Sequence, residues 1–222
     1  MSRLTNMEEQ NMTMKDFALR LMMAGGLTAS AASAQAAGPR FEPLTPDRMT
    51  PAQRAQPSIA AAIEAGRYNP SGYDAVMLRN PGLAGALGAV AAKVYPGFPA
   101  AGTDAPPTLS KGLAEIAILY LAHEWDFPAM FGSHGPAAIK AGVSQPIVDA
   151  LAKGRRPAAM SADQAAVYDF CSELIRTHRV GDGAFARLRE HLSEREVVDL
   201  VALMGTYTNS LMILKVADID RH

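Results

Sequence analysis

Residues 113–142, LAEIAILYLAHEWDFPAMFGSHGPAAIKAG, place one carboxylate in a run that is otherwise almost wholly apolar. Glu115 has Leu113, Ile116, Ile118, Leu119 and Leu121 around it, so most directions outward from its helix are apolar. Ionising a carboxyl in such surroundings costs on the order of several kcal/mol unless a partner compensates. His134 follows nineteen residues later, in FGSHGPAAIKAG, where Gly132 and Gly135 permit close backbone approach. An imidazole takes up and returns a proton near neutral pH, and a carboxylate beside it orients and tunes the ring. The two residues therefore point to general acid–base chemistry. The competing reading is a structural ion pair for Glu115 and a capping or packing role for His134.

Other residues border this pair on the sequence. His123 lies eight positions after Glu115 on the same helix, which at 100° per residue leaves it about 80° away around the axis. It is expected to edge the same pocket. Tyr120 and Tyr207 sit in apolar helices and could offer hydroxyls there, although a buried tyrosine more often satisfies a nearby backbone group. His178, His191 and His222 lie at helix or chain ends, and no role is assigned to them.

Several chemistries are excluded or disfavoured by the same inspection. His123-Glu124 lacks the second histidine of a HExxH site, and no other His/carboxylate cluster has ligand spacing, so no metal is expected. A GxSxG elbow is absent. The single cysteine, Cys171 in VYDFCSELI, cannot form a CxxC pair or an intrachain disulfide and reads as a small buried hydrophobe. The glycines of GLAGALGAV (82–90) follow no strand and lack the P-loop lysine and serine, so they read as close helix packing. A formal net charge of −1 and the absence of a Lys/Arg run leave no electrostatic footprint for nucleic acid.

The elements that must position these residues are helical. The 222 residues are 49% apolar and 19% charged, enough for one domain with a real core plus extra segments. Pro and Gly punctuate the chain and leave helical patterns between them, with no sustained strand alternation. Thr50-Pro51-Ala52-Gln53 combines an N-cap, a first-turn proline and a capping-box glutamine, predicting a helix through about residue 65. Further helices are expected over roughly 81–94, 110–125, 129–141 and 144–153. Ser161 and Ser193 open two more through capping boxes, and Asp182 caps one between them. Residues 39–50 read as an extended arm and 95–108 as a proline-rich loop. The expectation is an all-α protein of about eight helices with short connections.

Residues 14–37, MKDFALRLMMAGGLTASAASAQAA, carry a secretory pattern: Lys15 and Arg20, an apolar stretch over 21–29, and small-x-small at Ala34-Gln35-Ala36. This predicts a signal peptide over 1–36 and a periplasmic or secreted chain. The alternative is a tail on a cytoplasmic protein. No stretch reads as long enough for a membrane span in the mature chain.

Taken in order, the residues resemble the carboxymuconolactone decarboxylase and alkylhydroperoxidase-D superfamily. The matching pieces are Leu78-Arg79-Asn80-Pro81-Gly82-Leu83, then Leu109-Ser110 with Glu115-Ile116-Ala117-Ile118-Leu119, then Trp125, and His134 with Ala138 and Ala141-Gly142-Val143-Ser144. Phe185, Leu188, the run Arg195-Glu196-Val197-Val198-Asp199-Leu200-Val201, and Gly205 with Tyr207 complete it. The resemblance covers about 70–215, with 37–69 as an N-terminal arm and helix and 216–222 as a tail. It implies an all-helical, multi-helix fold, homo-oligomers, and sites between helices near subunit contacts. The peroxidase branch uses a CxxC pair supported by a glutamate and a histidine. Glu115 and His134 match the supports, but Phe127 and Met130 stand at the cysteine positions. The decarboxylase branch shows Glu-Trp-x-x-His, and here Met130 and Phe131 replace the first two residues while His134 remains.

The expectation is a cofactor-free acid–base enzyme, a decarboxylase-like lyase or proton-transfer catalyst, acting on a small carboxylated or enolisable substrate. His134 would be the acid–base group, Glu115 its orienting partner, and Arg79, His123 and Tyr120 the substrate-binding residues. The alternative is a family member that binds a small molecule without turning it over. Thiol peroxidase chemistry is disfavoured for want of the cysteine pair.

Overall fold

Helices begin where the capping chemistry places them. In the computed structural model, which describes residues 40–96 and 108–219, the Ser110 Oγ accepts from the Leu113 amide at the start of one helix and Ser193 closes a reciprocal capping box with Glu196 at another. A 3-10 turn, Pro46–Arg48, precedes ten α-helices among the described residues. These are α1 Pro51–Arg54, α2 Pro57–Glu64, α3 Tyr73–Met77, α4 Pro81–Val94 and α5 Lys111–Glu124. The remainder are α6 Ala129–Lys140, α7 Gln145–Ala152, α8 Ala162–Thr177, α9 Asp182–Arg189 and α10 Glu194–Ala217. No strand occurs among the described residues, so the chain is all-α.

Three details depart from the sequence expectation. The helix expected through residue 65 is broken into α1 and α2, because Pro57 drives Gln56 to an extended conformation (ψ 121°). The short α3 was hidden between turn residues, too brief to show a period of 3.6. Gly181, not Asp182, is the N-cap of α9, and Asp182 contributes its charge to the first turn instead.

The core is organised around α5. Residues 113–122 are all buried, and α6, α7, α8 and α10 pack around them. A helix that is apolar all round must be enclosed in this way. A second, smaller cluster joins Met49 and Ile59 to Leu78, with Leu44, Ile63 and Tyr68 against it. Gln53 Nε2 donates to the Leu78 carbonyl at 2.7 Å, so the arm is tied to the α3–α4 turn. The described residues belong to one compact unit. The segment expected to be a signal peptide, 1–36, lies outside the described residues, as does most of the proline-rich loop.

The final helix also corrects the reading of apolar length. α10 has 24 residues, and an 18-residue window within it reaches a mean hydropathy of 1.5, enough by length and composition to cross a membrane. Here Leu200, Leu203, Met204, Leu211 and Leu214 face the core instead. Lys215 near its end donates to the Asp126 carbonyl at 2.5 Å and lies over the Phe127 ring, fixing the turn that leads from α5 into α6.

Candidate active site

Glu115 sits on the second turn of α5 with its side chain fully buried. α6, which follows the Asp126–Pro128 turn, runs back along α5 and brings His134 to it. His134 Nδ1 lies 2.7 Å from Glu115 Oε2. A carboxylate only accepts, so the hydrogen resides on Nδ1 and the imidazole lone pair is left on Nε2. The other oxygen, Oε1, accepts from the Tyr95 hydroxyl at 2.7 Å. Two donors therefore compensate a wholly buried carboxylate, which is the condition for keeping a charge inside a core.

Aromatic rings confine the imidazole. Tyr207, on α10, stands edge-to-face with His134 at 5.3 Å between centroids. Tyr95 lies 6.1 Å from His134 and 6.1 Å from Tyr207, each pair edge-to-face. Such geometry contributes roughly 0.5–1.5 kcal/mol per pair and leaves the ring little freedom. Burial first, and then the bond to Glu115, push the Tyr95 hydroxyl well above the usual phenol range, so it stays a donor. Burial does the same to Tyr207, reinforced by Tyr95, Glu115 and Tyr73 nearby. His134 retains 15% of its side-chain exposure, so the site reaches the surface at the imidazole. The Lys111 ammonium, one helical turn before Glu115, lies 5.9 Å from the Tyr95 ring centroid.

Other residues expected at the site lie elsewhere. Arg79 bonds the backbone carbonyls of Ala75 and Glu42 and stacks over Phe41. It lines an apolar groove of about 290 Å³ with Leu83, Met212 and Val216, and none of Glu115, His134, Tyr95 or Tyr207 lines that groove. His123 and Tyr120 face a cleft with Gly154, Arg155, Tyr168 and Arg176. The 80° separation turns His123 away from His134, toward α7 and α8. The Tyr120 hydroxyl is pushed up to about 12 by burial and stands edge-to-face with Tyr168. The structure thus joins Glu115 to His134 and separates Arg79, His123 and Tyr120 from them.

Tyr95 carried no signal in the sequence. It caps the end of α4, its amide bonding the Ala91 carbonyl, immediately before Pro96, and it reads as the first residue of a loop. Only the fold brings it back over α5. Cys171 is fully buried against Met204, Sγ to Sδ 3.5 Å, and burial pushes its thiol far up. Phe127 and Met130 are buried hydrophobes. Among the described residues no group of three or more His, Cys, Asp or Glu could hold a metal.

No family model matches the chain, and no curated protein matches it. By structure it is similar to a crystal structure of an alkylhydroperoxidase AhpD core, an uncharacterized peroxidase-related protein from Ralstonia eutropha JMP134. The two are 19% identical, with a TM-score of 0.59, and the match covers 80% of this chain and 89% of that chain. The chain has the AhpD-like helical fold. Within that fold, Glu115 and His134 come from consecutive helices, α5 and α6, and Tyr95 and Tyr207 come from α4 and α10. The AhpD-like arrangement of this chain therefore assembles its site from four elements.

Proposed function

We propose that this AhpD-like protein is a cofactor-free acid–base enzyme acting on a small carboxylated or enolisable substrate. The 2.7 Å contact between His134 Nδ1 and Glu115 Oε2 carries the reading, because it leaves Nε2 as the basic atom of a partly exposed imidazole. In proton transfer, Nε2 takes a hydrogen from carbon beside a carbonyl, and the C–H electron pair moves into an enolate. In decarboxylation of an acid, Nε2 first takes the carboxyl proton, the C–C pair stays on the substrate as carbon dioxide leaves, and the protonated Nε2 then returns that proton to the carbon. Glu115 offsets the positive charge on the ring in either direction, much as a carboxylate does behind a catalytic histidine in hydrolases. The apolar surroundings of Tyr95 and Tyr207 favour loss of a charged carboxylate into neutral products.

Thiol peroxidase chemistry lacks its nucleophile here. The structural neighbour is described as peroxidase-related, but Cys171 is buried with its thiol held protonated, and Phe127 and Met130 offer no sulfhydryl.

A second reading, a binding protein without turnover, is favoured by Met130 and Phe131 at the places where the resemblance puts a glutamate and a tryptophan. The experiment that separates them uses the full chain and His134→Asn on carboxylated lactones, β-keto acids and simple ketones. Carbon dioxide release and deuterium uptake from heavy water at the carbon beside the carbonyl are followed together. Acid–base enzymology predicts a loss of roughly 10²–10⁴ in rate in the variant. Equal rates in the two proteins, or binding of these compounds with no reaction in either, would remove the enzyme reading.

A further inference from the structure

We infer that Tyr207 is the hydrogen-bond donor to the substrate's carbonyl oxygen, and that the substrate class is therefore a ketone or a β-keto acid, a compound whose carbonyl becomes an enolate. This rests on the acid–base reading of His134 and adds to it a second residue and a chemical class.

Tyr95 and Tyr207 stand against the histidine and Tyr73 lies near Tyr207, and two of these three tyrosines have committed hydroxyls. Tyr95 gives its proton to Glu115 Oε1, and Tyr73 shares a 3.1 Å hydrogen bond with Ser210 Oγ. The Tyr207 hydroxyl makes no hydrogen bond to any described residue, although its ring is packed edge-to-face against the imidazole at 5.3 Å. A partly buried hydroxyl in such a setting favours a partner, and a bound oxyanion would supply one. Tyr207 is partly exposed, as His134 is, whereas Tyr95 and Glu115 are buried. The site therefore presents two polar atoms without a hydrogen-bond partner among the described residues, a basic nitrogen and a phenolic donor, on rings 5.3 Å apart.

Proton abstraction needs that combination. As Nε2 takes the proton, the C–H pair forms the new carbon–carbon double bond and the carbonyl π pair moves onto oxygen. A donor aimed at that oxygen stabilises the charge where it develops. Loss of carbon dioxide from a β-keto acid yields the same enolate, so one donor serves each reaction. Tyr207 keeps its own proton throughout, because burial together with the neighbouring Glu115, Tyr95 and Tyr73 opposes its ionisation.

The test uses 4-nitrophenolate as a stable oxyanion probe, titrated against the full chain at mildly alkaline pH, with absorbance reporting both binding and ionisation state. A hydrogen bond to a charged group corresponds to roughly ten- to a hundredfold in affinity. Tyr207→Phe is expected to weaken binding of the ionised probe by that factor while the unfolding transition stays cooperative. Should Tyr207→Phe fold poorly, 3-fluorotyrosine at position 207 replaces it. The more acidic donor is then expected to tighten binding. Unchanged affinity in these variants, or no binding of the probe by the wild type, overturns the assignment. Proton exchange that disappears in His134→Asn beside phenolate binding that ignores Tyr207 would sink only the Tyr207 role. Tyr207-dependent phenolate binding in a protein that exchanges no carbonyl proton would support the donor and sink the acid–base reading.

Discussion

At the scale of residues, the site depends on which atom carries the proton between Glu115 and His134. Glu115 as a carboxylate accepts from both Tyr95 and Nδ1 of His134. Replacing it with glutamine preserves the shape and both hydrogen bonds, but only if the imidazole changes tautomer. The amide oxygen still accepts from Tyr95, and the amide N–H₂ now donates to Nδ1. The proton is then forced onto Nε2, so the basic lone pair is withdrawn from the substrate side. We expect Glu115→Gln to leave unfolding free energy within about 1 kcal/mol of wild type. Carbonyl proton exchange should fall by about 10²-fold or more, the behaviour of a catalytic histidine held in the wrong tautomer. Urea denaturation beside the deuterium assay checks this. A large stability loss with retained exchange would instead identify a purely structural pair.

At the scale of elements, the end of α7 shows how a single glycine keeps two sites apart. Gly154 follows α7 with φ +63°, in the left-handed region, and a Cβ there would lie 2.1 Å from Nε2 of His123. The His123 ring fills the space that any other residue would need, which is why His123 is directed to the α5–α8 cleft and away from His134. Gly154→Ala is expected to destabilise by about 1–3 kcal/mol through backbone strain and displacement of the ring. Adding His123→Ala should recover part of that loss and leave the strain. A double-mutant cycle measured by chemical denaturation tests it, and strict additivity would show that the two residues do not compete for space.

At the scale of the whole molecule, α4 and α10 carry apolar side chains that face outward. α4 buries only Val94 and exposes Leu83 and Val90, with Lys93 its one charged residue. On α10, Val198, Val201, Met212 and Val216 are exposed, and at 100° per residue they fall within about 60° of one another. The two helices pack together, so these stripes adjoin. Contiguous exposed apolar surface marks an interaction site, and self-association is the symmetric way to cover it. We propose a homo-oligomer joined through this face. Light scattering on the eluting peak should give a mass above that of one chain, and Val201→Glu should lower it toward the monomer. A wild-type monomer at micromolar concentration would rule the interface out.

The sequence by itself determined the all-helical architecture, the places where its longer helices begin, and the pair Glu115 and His134. Capping boxes, prolines and the period of apolar residues act over a few positions and are legible without a fold. A lone carboxylate in an apolar helix announces itself because its burial has a cost that something must offset. The fold alone decided what offsets it. Tyr95 reads as a loop residue until α4 is laid over α5, and Tyr207 is one polar atom in an apolar helix until α10 packs against the imidazole. Arg79 and His123 read as neighbours of the site, yet backbone carbonyls hold the first and the cleft beside Gly154 takes the second. Those outcomes depend on contacts between residues tens of positions apart. Local spacing carries no information about them.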